Sequence, residues 1–207
     1  AAVAAGDVSR VQLLLRRGAE ASCCSTEGKP CVAMATAQEQ SHQVLQLLLN
    51  ARADANATDS AGWAPLHLWT RNLVSSRSGL QQEERKLAHL VRARADVNAR
   101  LPRVDETPLH LLSRLYDVLA KQVEAGSAGG EAVEAGALRP YMRATREKLQ
   151  LLLAANADPL ARNEAGSTPL DLVTRRLRSS LLVSKVGPCR SGHFGDASPT
   201  RSSTPAS

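Results

Sequence analysis

Short apolar runs return along this chain at regular intervals, separated by small and polar residues. Leu13-Leu14-Leu15, Leu47-Leu48-Leu49, Leu90-Val91 and Leu151-Leu152-Leu153 stand out, and the first two lie 34 residues apart. Apolar residues three and four positions apart around these runs predict helices with one buried stripe. Every run closes on a small, acidic segment: Gly18-Ala19-Glu20, Ala53-Asp54-Ala55-Asn56-Ala57, Ala95-Asp96-Val97-Asn98-Ala99 and Ala157-Asp158-Pro159-Leu160-Ala161. Asp and Asn there predict a turn, because their side chains satisfy nearby backbone groups.

A second signal alternates with the first. Ala64-Pro65-Leu66-His67, Thr107-Pro108-Leu109-His110 and Thr168-Pro169-Leu170-Asp171 are copies of one tetrapeptide, and Lys29-Pro30-Cys31-Val32 is a degenerate fourth. Each reads as the start of a further helix. Thr, or Ala in its place, stands at the cap, and Pro is tolerated in a first turn whose N–H has no intrahelical partner. Leu enters the core, and the His ring is placed to hydrogen-bond backbone of the adjoining unit. A pair of antiparallel helices cannot cover its own apolar face, whereas stacked pairs can.

The tetrapeptide, followed by a leucine run at a spacing near 33 residues, resembles the ankyrin repeat. The resemblance covers most of the first 178 residues and implies an all-α solenoid of about five units. The units fall at 1–24 (partial), 25–57, 58–99, 100–161 and 162–186, forming one domain over 1–186. Gly6-Asp7 sits where the family has Gly-His between its two helices. Residues 1–5 therefore read as the end of a helix whose tetrapeptide is missing, and the chain, which starts without Met, as a piece of something longer. The family commonly ends its second helix on a left-handed Gly. Here that place is held by Gly18, Arg52, Arg94 and Asn156, and an Arg in that conformation costs about 1 kcal/mol.

The tetrapeptides of the third and fourth repeats are 43 residues apart, and those of the fourth and fifth 61. Insertions of about 10 and about 28 residues are expected, both between the two helices of a repeat. In the fourth repeat, Leu112, Leu115, Tyr116 and Leu119 continue a helix to about Glu124, and Gly126-Ser127-Ala128-Gly129-Gly130 predicts a flexible connector. Pro140 then reads as lying near the start of a second long helix that ends near Ala155. Ser75-Ser76-Arg77-Ser78-Gly79 reads as a smaller connector of the same kind. Residues 187–207, rich in Ser, Thr, Pro and Gly, are expected to be disordered.

Composition narrows the function. With two Trp, two Tyr and one Phe, the chain lacks the aromatic faces on which RNA or single-stranded DNA platforms stack bases. No apolar run approaches the length of about 20 residues that crosses a bilayer, and no secretory leader pattern opens the sequence. Four cysteines, two of them adjacent at Cys23 and Cys24, read as reduced thiols of an intracellular, cytoplasmic protein, with the nucleus a further location. There is no phosphate-binding glycine loop, no H-E-x-x-H and no C-x-x-C, and nothing recommends a catalytic Ser, His and Asp set. His67 and His110 are accounted for by the repeat. Cys23, Cys24, Cys31 and His42 read as thiols and a histidine without a metal, Cys31 taking a core leucine position. No cofactor and no small-molecule substrate are expected.

Attention therefore falls on the concave surface that stacked repeats present through turn tips and first-helix ends, where the family varies to choose partners. By register, this surface includes Ser60, Trp63 and Arg71 in the third repeat, Arg103, Glu106 and Arg114 in the fourth, and Arg162, Glu164, Arg175 and Arg176 in the fifth. Arg71, Arg114 and Arg175 hold one register position, and packed helices would bring them about 10 Å apart. Such a column attracts carboxylates or phosphates; the plainer reading is solvated helix formers in an Arg-rich chain, since exposed charges are ordinary. Trp63, beside Gly62, reads either as an exposed anchor or as packing on a neighbouring tip, and Trp69 reads as core.

The expected function is a non-catalytic scaffold or adaptor, monomeric, that binds a protein or peptide segment, acidic or phosphorylated, along this groove. The net charge of +6 and the run Arg175-Arg176-Leu177-Arg178 leave a second reading, a polyanion binder for nucleic acid or anionic membrane. A third is the regulatory region of a larger enzyme or adaptor. Ser198-Pro199 has the layout of a proline-directed phosphorylation site in the tail.

Overall fold

The computed structural model describes residues 2–128 and 132–173. They form seven helices and no strand: α1 (Val8–Arg16), α2 (Cys31–Ala37), α3 (His42–Asn50), α4 (Pro65–Arg71), α5 (Arg77–Arg92), α6 (Pro108–Ala128) and α7 (Ala132–Ala154). Successive helices pair as α2 with α3, α4 with α5, and α6 with α7. In one layer α2 packs on α4 and α4 on α6; in the other α1 packs on α3, α3 on α5 and α5 on α7.

The buried stripes fill the space between these layers. Leu45 and Leu48 on α3, Leu87 and Leu90 on α5, and Leu149 and Leu152 on α7 are buried, facing Cys31, Val32 and Ala35 of α2, Leu66 and Trp69 of α4, and Leu109 and Leu112 of α6. The leucine triplet of α1 is the exception, since Leu13 and Leu14 remain exposed. The chain before α1, read as the end of a helix, runs as a turn in which the Gly6 and Asp7 amides reach the carbonyls of Val3 and Ala2.

The helices α2, α4 and α6 start at their tetrapeptides, α4 and α6 by a device partly the reverse of a side-chain cap, whereas the fourth expected start, at Thr168, runs as turn over the described residues to 173. The His67 ring reaches back, its Nδ1 accepting the Ala64 N–H at 3.2 Å, and His110 Nδ1 accepts the Thr107 N–H at 3.2 Å. Nδ1 is then an acceptor, which fixes Nε2 as the protonated nitrogen. Nε2 donates to Ala99 O at 3.0 Å from His67 and to Ser167 O at 3.1 Å from His110, in each case the turn segment that follows. Where Asp171 replaces His, its carboxylate accepts the Thr168 N–H and hydroxyl at 3.0 and 2.8 Å.

The turns carry a second set of links. Asp54, Asp96 and Asp158 each accept the amide two residues on, at 2.8 to 2.9 Å. The asparagines do not bond locally, as the turn reading expected. Asn56 Oδ1 accepts the Asp96 N–H at 2.7 Å, and Asn98 Oδ1 accepts the Asp158 N–H at 2.8 Å, so each ties its turn to the next. The second helices end on positive-φ residues at the four expected places: Gly18 (85°), Arg52 (63°), Arg94 (62°) and Asn156 (68°).

Both segments read as insertions run largely as helix. Ser76 caps α5 by accepting the Gly79 N–H at 3.0 Å, so the segment read as a connector is a cap and a first turn. α6 runs on through Gly126 and Ser127, and α7 begins at Ala132, placing Pro140 inside the helix rather than near its start. The α6–α7 pairing is the most extensive among the described helices and outweighs the roughly 1 kcal/mol that a helical glycine costs. Residues 129–131, the expected tail over 187–207 with Ser198, and most of the last repeat lie outside the described residues. No helix among the described residues is long and apolar enough to cross a membrane.

Candidate functional site

The candidate surface is built from the tips and the first-layer helices. Asp59 shapes the third-repeat tip: its Oδ1 accepts the Ala61 and Trp63 amides at 3.0 and 2.9 Å, and its carbonyl accepts Gly62 N–H at 2.9 Å. Gly62 has φ 81°, and a Cβ there would fall 2.5 Å from the ring of Pro102 in the next tip, so two constraints require glycine. Ser60 is exposed on this turn. Trp63 is half-buried, meets the His67 ring edge-on at 6.1 Å, and carries the Arg71 guanidinium over its face at 5.4 Å. It is thus neither a bare anchor nor tip packing alone.

Arg71 also walls a groove of about 740 Å3 between the second and third units. Ala33 and Met34 of α2 and Leu68 of α4 give it apolar sides, while Glu27, Lys29 and Asp59 bring charge to its rim. Lys29 and Glu27 pair with each other at 2.8 Å. Arg71 has no carboxylate partner among the described residues, and its cation–π contact leaves the guanidinium edge open.

One unit on, Glu106 is buried beside the Thr107 cap and pairs with Arg114, whose side chain stays 57% exposed. Glu106, Arg114 and Glu164 share a shallow pocket with Val104 and Asn163. The two described members of the arginine column are therefore unlike: Arg71 lies open on an indole, and Arg114 is already neutralised by a carboxylate. Arg162 folds back to donate to Gly166 O at 2.7 Å, and Arg103 is exposed. Arg175 and Arg176 lie outside the described residues.

Burial holds the His67 and His110 rings below the ordinary histidine range, so both are neutral hydrogen-bonding struts near pH 7. Cys31 is buried in the core and its thiol is pushed up to about 12, chiefly by burial; Cys23 and Cys24 are exposed. Among the described residues no three His, Cys, Asp or Glu side chains gather as a metal site would require.

Sequence reasoning missed a polar cluster in the core. Glu83, Lys86 and Lys148 are all buried, with at most 2% of each residue exposed. Lys86 Nζ pairs with Glu83 at 2.8 Å and donates to the carbonyls of Thr36 (3.4 Å) and Gln38. Lys148 Nζ donates to Trp69 O at 2.6 Å and Asn72 O at 3.0 Å, lies 4.3 Å from the Trp69 ring centroid and stands 3.9 Å from Glu83. Asn72 Nδ2 bridges Thr36 O at 2.9 Å and the Glu83 carboxylate at 3.2 Å, and Trp69 Nε1 donates to Glu83 O at 2.9 Å. The cluster fixes the end of α4 that carries Arg71.

No protein-family model matches this sequence, and no curated protein matches it.

Proposed function

We propose that the chain is an ankyrin-type stack of helix pairs that acts as a protein-interaction module with no chemistry of its own. Two features support the stack. Equivalent residues make equivalent bonds across successive units in the turns, Asn56 to Asp96 and Asn98 to Asp158, and His67 and His110 each bond a carbonyl of the segment before the next tetrapeptide, at different register positions. The helices of each layer also pack on their counterparts in the next unit.

The observation that carries the functional reading is the groove walled by Arg71. It is open, apolar along its flanks and charged at its rim, the make-up of a surface that takes a polypeptide segment. Its guanidinium, stacked on Trp63 but without a carboxylate, calls for one from the ligand, so the partner segment is acidic at one position and apolar beside it.

A displayed random-peptide library panned against the protein tests this. Enriched sequences should pair Asp or Glu with an apolar neighbour, and Arg71→Ala should weaken the selected peptide roughly tenfold without moving the unfolding midpoint. Failure to enrich any sequence, together with binding to heparin that falls steeply with salt, would favour the polyanion reading instead.

A further inference from the structure

A second cleft lies at the opposite end of the helices, away from the turn tips, and it carries a surplus of positive charge. It measures about 500 Å3 and is formed where the start of α5 meets α7. Arg77 comes from the first turn of α5, and Arg139 and Arg143 stand one turn apart on α7. None of the three makes a hydrogen bond or ion pair with another described residue. One lining carboxylate, Glu147, stands against these three cations, leaving a surplus of two positive charges. A phosphate monoester near pH 7 carries about two negative charges and offers three acceptor oxygens to guanidinium donors.

The surroundings fit a phosphate borne on a peptide. Ser75 and Ser76 form a wall shared with a second furrow of about 480 Å3 that continues toward α3. His42 Nδ1 and Gln82 Oε1 belong to residues lining this furrow, and both atoms are buried without a hydrogen-bond partner among the described residues. Both atoms are closed off from solvent as they stand, so a ligand's main chain in the furrow satisfies them only where the His42 and Gln82 side chains turn outward. On the cleft side, Pro140 has no N–H to give the carbonyl of Gly136, a residue that also lines the site.

We propose that this cleft and furrow bind an extended peptide carrying one phosphoserine or phosphothreonine. The phosphate sits among Arg77, Arg139 and Arg143, and the flanking main chain crosses Ser75 and Ser76 toward His42 and Gln82. The site is separate from the groove at Arg71 and stands independently of what that groove binds.

The test uses two fluorescein-labelled peptide pools with random flanks, one fixed on a central phosphoserine and the other on serine, followed by fluorescence anisotropy. The phosphorylated pool should bind saturably and at least tenfold more tightly than its counterpart. Arg139→Ala with Arg143→Ala should remove that preference at an unchanged unfolding midpoint, and Arg71→Ala should leave it intact. Inorganic phosphate should compete only at much higher concentration, since it makes none of the furrow contacts. Equal binding of the two pools, or a preference that survives the double substitution, overturns the proposal. So does selective, arginine-dependent binding to phosphoinositide-bearing phosphatidylcholine vesicles with no response to the phosphorylated pool, which would assign the arginines to a membrane headgroup.

Discussion

Lys86 and Lys148 hold the same position on two successive second-layer helices, each four residues ahead of a fully buried leucine, Leu90 and Leu152. Each delivers its ammonium to carbonyls at the C-terminal end of a first-layer helix in the preceding unit: Thr36 and Gln38 for α2, Trp69 and Asn72 for α4. A helix C-terminus offers unsatisfied carbonyls and partial negative charge, so a cation there finds partners that are not carboxylates. Glu83 lies between the two ammoniums and supplies one negative charge for both. The cluster thus joins three helix pairs through charge as well as apolar contact.

Lys148 makes stability depend on pH. Burial pushes its ammonium down from 10.5 to about 8; Lys86 pushes the same way, and Glu83 opposes both. Below about pH 8 the lysine is charged in both the folded and unfolded protein, and folding bears the full cost of burying the charge. As pH rises from about 8 toward 10.5 the folded state gives up its proton first, and that cost fades. The neutral amine keeps two hydrogens for the Trp69 and Asn72 carbonyls. This residue should therefore add about 2 kcal/mol between pH 7 and 9.5, read as the difference in urea unfolding between the wild-type chain and Lys148→Met. Parallel pH profiles for the two would contradict it.

Replacing Glu83 by Gln keeps the shape and strands two buried ammoniums without a counter-charge. The expected loss is about 3 to 5 kcal/mol. Exposed Glu84, its neighbour on α5, serves as the control: Glu84→Gln should stay within about 0.5 kcal/mol. A loss below about 1 kcal/mol for Glu83→Gln in urea unfolding would mean that the helix-end carbonyls hold the lysines unaided.

Periodicity made the helices legible, and the repeated tetrapeptide made the histidine struts legible, because both are local patterns. The lysines were not, since a charged residue amid leucines is conventionally assigned to the solvated face. The available signal was that Lys86 and Lys148 share one register relative to Leu90 and Leu152. The ion pair of Arg114 and Glu106 escaped for a related reason: register placed both on one surface but could not say that they face each other across the cap. Gly126 and Pro140 misled in the other direction. Both are helix breakers by propensity, and the long contact between α6 and α7 overrides them.

The asparagine links predict separable local effects. Asn98→Ala removes the acceptor of the Asp158 amide and should cost about 1 kcal/mol. Hydrogen exchange at the Asp158 amide should speed up while that at Asp96, held by Asn56, does not. Asn56→Ala should give the converse. Equal acceleration at both amides in either variant would show that the turns open as one block rather than unit by unit.

Arg52 and Arg94 point to a gain in stability. Each closes a second-layer helix at a φ near +60°, where a side chain with a Cβ crowds the following carbonyl and glycine does not. Both side chains are exposed, and neither makes a side-chain hydrogen bond or ion pair with another described residue. Glycine, however, loses more conformational freedom on folding than arginine, which offsets part of the relief. The net expectation for Arg52→Gly and Arg94→Gly is a gain of about 0.5 to 1 kcal/mol each, additive in the double variant because the sites belong to separate turns. Gly62→Ala, at a positive φ with Pro102 against the missing Cβ, should move the midpoint of thermal unfolding the opposite way. If the arginine variants lower the midpoint as well, the unfolded-state entropy of glycine outweighs the strain at these helix ends.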